Sequence, residues 1–207
     1  MEIEIFYTTV SKWKENSYLL KFKNQAWLID PGDEFKKLDR NFNAADLELN
    51  GIINTHGHFD HVGAVDNFKR KYGVPFFIHA KDKQILRQAN LYKKLAGSSD
   101  FFDIPIIDSF IEANSVFRIG NKTILTHYTP GHTNGSVIFE IEKSLFTGDL
   151  LFKDTIGRVD LPGGNFDLLK QSVHFVLDNF IGFMIYPGHG LPFLLNNDVV
   201  NNLKKMI

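Results

Sequence analysis

Residues 55–61 read Thr55-His56-Gly57-His58-Phe59-Asp60-His61, directly after the short apolar run Gly51-Ile52-Ile53-Asn54-Thr55. Three histidines and one aspartate within six residues is a density that composition does not supply. With 8 His among 207 residues, a histidine at a named position has a chance of about 1 in 26. On an extended segment His56 and His58, two apart, project to the same side. Asp60 and His61 fall where the chain turns into the next helical pattern, so they point elsewhere. This arrangement suits two neighbouring metals better than four ligands on one ion. Imidazole nitrogens with carboxylate oxygens favour zinc and also suit iron or manganese.

Three more strand-to-turn junctions resemble the first. Pro130-Gly131-His132-Thr133 follows an apolar strand pattern over 122–127, Gly148-Asp149 follows one over 144–147, and Pro187-Gly188-His189-Gly190 follows one over 183–186. Each strand runs into a glycine-containing turn with a His or Asp at the turn itself. With the first cluster they supply five histidines and two aspartates. The remaining histidines read as packed or surface residues: His79 ends a strand, His127 lies in one, and His174 falls within a helix.

Around these junctions strands and helices alternate. Period-2 patterning predicts strands over 3–7, 18–22, 26–29, 51–55, 75–78, 116–119 and 136–141, in addition to the three above. Helical spacing predicts helices over 33–42, 62–72, 81–95, 166–180 and 198–206, the 81–95 helix turning Ile85, Leu86, Leu91 and Leu95 inward. The order of elements after residue 115 repeats that of the first half. No low-complexity linker interrupts it, so 1–207 is expected to be one α/β layered domain, built from two similar halves.

Composition narrows the chemistry. The chain has no Cys, which excludes a disulfide framework, a thiolate nucleophile, and Cys-ligated zinc or iron–sulfur clusters. With 23 Lys+Arg against 24 Asp+Glu the net charge is −1, which argues against a protein built to coat nucleic acid or an anionic membrane. The first residues carry Glu2 and Glu4 where a signal peptide would carry Lys or Arg, and no run of about 18 apolar residues occurs. A cytoplasmic protein with no membrane or nucleic-acid partner is expected.

The ordered set Thr55-His-Gly-His-Phe-Asp-His61, Pro130-Gly-His132-Thr, Gly148-Asp149 and Pro187-Gly-His189-Gly, with the turn Ile29-Asp30-Pro31-Gly32 ahead of it, resembles the metallo-β-lactamase superfamily. The match runs over essentially the whole chain. Gly148-Asp149-Leu150-Leu151-Phe152 followed by Gly157-Arg158-Val159-Asp160-Leu161-Pro162 resembles the short bacterial glyoxalase II-like hydrolases. The resemblance implies a four-layer αββα sandwich with its site at one edge of the two sheets. It implies two zinc ions, one on His56, His58 and His132 and the other on Asp60, His61 and His189, with Asp149 bridging them. Asp30 matches a position that supports the metal ligands by hydrogen bonds; the alternative is a turn aspartate that caps the Pro-Gly bend.

The implied reaction is thioester hydrolysis on a small acyl-thiol such as S-lactoylglutathione. A water shared by the two ions and acidified to a pKa near 7 attacks the carbonyl, with Asp60 orienting it. The loop after Asp149 should border the site, and Lys153 or Arg158 is a candidate to pair with a substrate carboxylate. For Arg158 an internal salt bridge is the competing reading. Glutamate stands at the His58 position in flavodiiron-type members, so oxygen reduction is disfavoured, and subclasses with a Cys ligand are excluded. Full-length glyoxalase II has a C-terminal helical domain that contributes to glutathione binding, whereas 18 residues follow His189 here (207 − 189), so that domain is expected to be absent. Alternatives on the same scaffold are a mononuclear-iron persulfide dioxygenase using His56, His132 and Asp149, a lactone hydrolase or cysteine-free lactamase, and a nuclease. The neutral charge disfavours the nuclease.

Overall fold

The computed structural model describes residues 2–207. The alternation at the N-terminus extends into β1 (Glu4–Val10), which pairs antiparallel with β2 (Glu15–Phe22), and β2 pairs antiparallel with β3 (Gln25–Ile29). Then β4 (Glu48–Ile53), β5 (Phe76–His79) and β6 (Ser109–Ile111) add in parallel, giving a sheet of order β1-β2-β3-β4-β5-β6. The second half builds its own sheet. An antiparallel meander of β7 (Val116–Ile119), β8 (Lys122–Tyr128), β9 (Val137–Ile141) and β10 (Ser144–Gly148) is followed by β11 (Met184–Pro187), parallel to β10, and by β12 (Phe193–Leu194), antiparallel to β11.

Alternation along the strands explains the layers. In β3, Ala26 and Leu28 face a core shared with α1 (Phe35–Phe42), while Trp27 and Ile29 face the other sheet. In β9, Val137 and Phe139 point to that same inter-sheet seam, and Ile138 points to the helices α6 (Phe166–Asn179) and α7 (Asn197–Leu203). Strands buried on both faces read as continuous apolar runs. Three apolar seams therefore separate four layers: helices, sheet, sheet, helices. Both outer helices of the second half start on an asparagine cap, Asn165 accepting from Leu168 N at 3.0 Å and Asn196 from Val199 N at 3.0 Å.

The helical segments of the first half differ from their periodicity. In place of one helix over 62–72 the chain forms a single turn, α2 (Phe59–Val62), and then α3 (Val65–Tyr72), with Val62, Val65 and Phe68 buried. The pattern over 81–95 resolves into a 3₁₀ turn at Ala80–Asp82, α4 (Lys83–Arg87) and α5 (Ala89–Leu95). Gln88 leaves helical geometry between them (φ −98°, ψ 7°), which breaks the phase on which the inward face depended. Ile85 and Leu86 are buried, but Leu91 is 51 % and Leu95 74 % exposed, so those two residues do not face the core. The short strands β6 and β12 carry too few residues for alternation to mark them.

Both sheets present the carboxyl ends of their inner strands to one edge. The loops after β3, β4, β8, β10 and β11 all leave there, where open α/β sheets place their ligands. No helix among the described residues is long and apolar enough to cross a membrane.

Candidate metal centre

The loop after β4 brings His56 and His58 to one side, as extended backbone requires, and the loop after β8 brings His132 to meet them. His58 Nδ1 lies 2.9 Å from His132 Nε2, and the three rings form one compact donor cluster. One helical turn, α2, swings Asp60 and His61 the other way, toward His189 at the end of β11. His189 Nε2 is 3.4 Å from Asp60 Oδ2. Asp149, at the end of β10, stands between the groups: Oδ1 is 3.5 Å from His61 Nε2, and Oδ2 is 3.6 Å from His132 Nε2 and 3.5 Å from His189 Nε2. All seven expected ligands thus converge. A tetrahedral ion with bonds of about 2.0–2.1 Å needs donors about 3.3–3.4 Å apart, close to most of these separations.

Four of the five rings are held from outside by Nδ1, His58 being the exception because its Nδ1 faces His132. His132 Nδ1 donates to the Arg158 carbonyl at 2.8 Å, and His189 Nδ1 donates to the Lys14 carbonyl at 3.2 Å. His61 Nδ1 donates to Asp30 Oδ2 at 3.0 Å. Thr55 gives its hydroxyl proton to Asp30 Oδ2 at 2.5 Å, so the His56 Nδ1 beside it at 3.0 Å must be the donor of that pair. In all four rings Nε2 therefore aims into the site. His56 Nε2, His61 Nε2 and Asp149 Oδ1 are buried with no hydrogen-bond partner in the protein. Orphaned buried polar atoms cost about 1–3 kcal/mol each, and three converging on one spot is a donor set that a cation completes.

The electrostatics divide along the same line. Burial, then its imidazole neighbours, pushes His56 far below its ordinary value, and burial and His132 pull His58 down to about 3, so these two are neutral ligands. Burial also opposes protonation of His61 and His189, but Asp149 outweighs it, raising His61 strongly and pushing His189 up to about 10. Burial works to raise Asp60 and Asp149 as well. For Asp60 the hydrogen bond from His189 and the charge of His61 prevail, and for Asp149 the charges of His61 and His189 do, so both carboxyls lie below the usual range. On the Asp60-His61-His189 side two carboxylates thus face two protonated imidazoles.

Two glycines make room for this. Gly148 has φ 48°, in the left-handed region, and a Cβ there would lie 2.7 Å from Thr55 Cβ. At Gly188 a Cβ would strike Asp149 Oδ1 and lie 2.7 Å from His61 Cε1.

Asp30 sits where it can support the cluster: it is 1 % exposed, and besides His61 and the Thr55 hydroxyl it accepts from Thr55 N at 2.7 Å. Its oxygens face Nδ1 of His61, the side away from the donors. Arg158 forms a fork with Asp160, Nε to Oδ1 and Nη2 to Oδ2 at 2.6 Å each, which is the internal salt bridge weighed against a substrate contact. Lys153 is exposed and does not line the cleft that opens over the centre. His79 stacks on Tyr128, and His127 pairs with Glu140 at 2.7 Å, both away from the centre.

Two buried acids escaped sequence reasoning. Asp82 is fully buried and accepts from Gly57 N at 2.8 Å, Thr133 Oγ1 at 2.8 Å and Gly135 N at 2.7 Å, so one carboxylate ties the loop of His56 and His58 to the loop of His132. Glu15 is fully buried beneath His61, accepts from Ser17 Oγ at 2.9 Å, and is held well above its ordinary value by desolvation. Neither lies in a motif. Each reads locally as a surface charge at the start of an element.

A model of the metallo-beta-lactamase superfamily matches residues 11–189. The chain belongs to that superfamily. It is 34 % identical to the hydroxyacylglutathione hydrolase GloC of Haemophilus influenzae over 204 residues, 92 % of this chain and 91 % of the relative. It is 35 % identical to the probable metallo-hydrolase YqgX of Bacillus subtilis, over 77 % of this chain and 76 % of that one. Among solved structures, the BLEG-1 B3 metallo-beta-lactamase superposes with a TM-score of 0.85 at 29 % identity, over 96 % and 95 % of the two chains. TTHA1623 in a di-iron-bound form superposes with a TM-score of 0.82 at 33 % identity, over 92 % and 94 %. The four-layer sandwich is thus the metallo-β-lactamase fold. As a superfamily member the chain is a metal-binding hydrolase.

Proposed function

We propose that this chain is a glyoxalase II-like thioesterase that holds two zinc ions and cleaves a small acyl-thiol such as S-lactoylglutathione. The observation that carries the reading is Asp149, whose two oxygens lie 3.5–3.6 Å from donors of both ligand groups, which supports reading the two triads as one site for two ions. GloC, at 34 % identity over nearly the full length, supports the thioester assignment. His56, His58 and His132 would hold one ion, Asp60, His61 and His189 the other, and Asp149 would bridge. Bound there, two divalent ions supply Lewis acidity and acidify water toward neutral pH.

The protein's own groups do the rest. Outward hydrogen bonds from Nδ1 fix the plane of four imidazoles before substrate arrives. Asp60, kept ionised by His189 and His61, is the acceptor that orients a water against the thioester carbonyl. Addition of the water oxygen to carbon and cleavage of the C–S bond give a carboxylate and a thiol, one water proton going to the leaving sulfur and the other to solvent. No serine or cysteine nucleophile is needed for this.

The test is metal analysis of the purified protein coupled to S-lactoylglutathione turnover, read as released thiol. Two zinc ions per chain with turnover, and loss of one ion and of turnover by His58→Ala, is the expected result. Unchanged turnover in His58→Ala would end the dinuclear reading, and one iron per chain with oxygen uptake on glutathione persulfide would replace it with a dioxygenase.

A further inference from the structure

We propose that the cleft over the centre selects thioesters by the length of an apolar acyl chain, on a carrier of low charge. This rests on the thioesterase reading and refines its substrate: S-lactoylglutathione is then a slow substrate of the same site, and longer apolar acyl groups are faster ones. It is a groove of about 920 Å³ that ends on His58, Asp60, His132, Asp149 and His189. Away from the histidines and aspartates its walls are mostly apolar, with Thr155 and Arg158 as the polar members. Trp13 from the β1–β2 turn, with Tyr92 and Leu95 from α5, forms one side; Phe152, Ile156 and Leu161 from the loop after β10 form the other.

The wall that carries Trp13 is tied down. Trp13 packs edge-on against Phe59 with centroids 5.1 Å apart, and Lys12 Nζ donates to the Gly97 carbonyl at 3.1 Å, binding the β1–β2 turn to the end of α5. Leu95, 74 % exposed, is the helix residue that broke the inward pattern, and it lines this mouth. A three-carbon hydroxyacyl group would leave most of this surface wet, whereas a longer chain would cover it.

Charge points the same way. Arg158 is the one Lys or Arg in the wall among the described residues, and its guanidinium is forked onto Asp160, whose carboxyl it pulls down to about 2. Lys12 spends its amine on Gly97 and lies 4.6 Å from the Trp13 ring centroid. A peptide thiol with two carboxylates finds no uncommitted cation here.

A fully buried methylene is worth about a fourfold gain in binding; in a cleft open on one side, half that burial gives about twofold per methylene and about 16-fold from butanoyl to octanoyl. The experiment measures kcat/KM of the zinc-loaded enzyme on N-acetylcysteamine thioesters of acetyl, butanoyl, hexanoyl and octanoyl chains, beside S-lactoylglutathione. In parallel, Trp13 fluorescence is titrated with acetate and octanoate, Trp13→Phe identifying the signal. A rate that climbs with chain length, flattened by Leu95→Gln, and tighter binding of octanoate are expected. A flat or falling series, or S-lactoylglutathione outrunning octanoyl tenfold, overturns the proposal. If no thioester is cleaved but octanoate still binds preferentially at Trp13, the thioesterase reading falls and the apolar cleft stands. If octanoate binds no better than acetate, the cleft proposal falls whatever the turnover.

Discussion

Asp82→Asn separates the two halves of the metal centre. The wild-type carboxylate accepts three hydrogen bonds, two on Oδ2 from Gly57 N and Thr133 Oγ1, and one on Oδ1 from Gly135 N. An asparagine keeps its one oxygen where two bonds are made, so its amide nitrogen meets the Gly135 N–H donor to donor. One buried backbone donor is then orphaned, at about 2 kcal/mol. Removing a charge that burial already disfavours, since desolvation holds Asp82 above its usual range, makes that an upper figure. For a chain of this size, about 2 kcal/mol lowers Tm by about 4–8 °C. The functional consequence is local. Gly57 lies between His56 and His58, and Gly135 lies three residues past His132, so the all-histidine triad loosens while Asp60, His61 and His189 keep their supports. Misoriented ligands cost about 10–100-fold in metal affinity. The assay is calorimetry of metal-stripped protein followed by zinc titration against a chelator. One of two zinc affinities should fall in that range and the other should hold. Equal weakening of both, or an unchanged Tm, would refute the assignment of Asp82 to one triad.

Gly188→Ala places a methyl against Asp149 Oδ1 and His61 Cε1; it should retain the circular dichroism of the fold, lose the ion on Asp60, His61 and His189, and drop turnover at least 100-fold. Two ions retained by that variant would contradict the packing. For metal-stripped protein, the raised imidazoles set a pH trend: stability contributed by His189 and His61 is complete below their ordinary 6.5 and is lost as pH rises toward about 10. Zinc-loaded protein should gain stability from pH 6 to 8 instead, because binding needs deprotonated ligands. Calorimetry of both forms checks this, and a stripped-protein Tm that rises across pH 6.5–10 would show the sign to be wrong.

The seven converging residues were legible because metal chemistry restricts residue type and each sits at a strand end, where local pattern is strongest. The alternating strands were legible for the same reason, whereas the single turn of α2 was not, because the helical spacing begins only at Val62. Asp82 and Glu15 were not legible. A charged residue is marked as buried only by its partners, and Gly135 lies 53 residues from Asp82, while the Gly188 carbonyl that receives Asn16 N, beside Glu15, is 172 residues away (188 − 16). The outward turn of Leu91 and Leu95 depends on one residue, Gln88, leaving helical geometry, and no proline or glycine announces it. Arg158 showed its type but not its allegiance, because Asp160, two residues on, competes with any substrate.

Each triad joins distant parts of the chain: 76 residues separate His56 from His132 (132 − 56), and 128 separate His61 from His189 (189 − 61). Ions held there act as cross-links that close long loops, and cross-links of that span restrict the unfolded chain by about 4–5 kcal/mol in the entropy model. In a protein with no cysteine, the catalytic metals would therefore also serve as its long-range staples. Starving such a protein of zinc would shorten its lifetime as well as silence it.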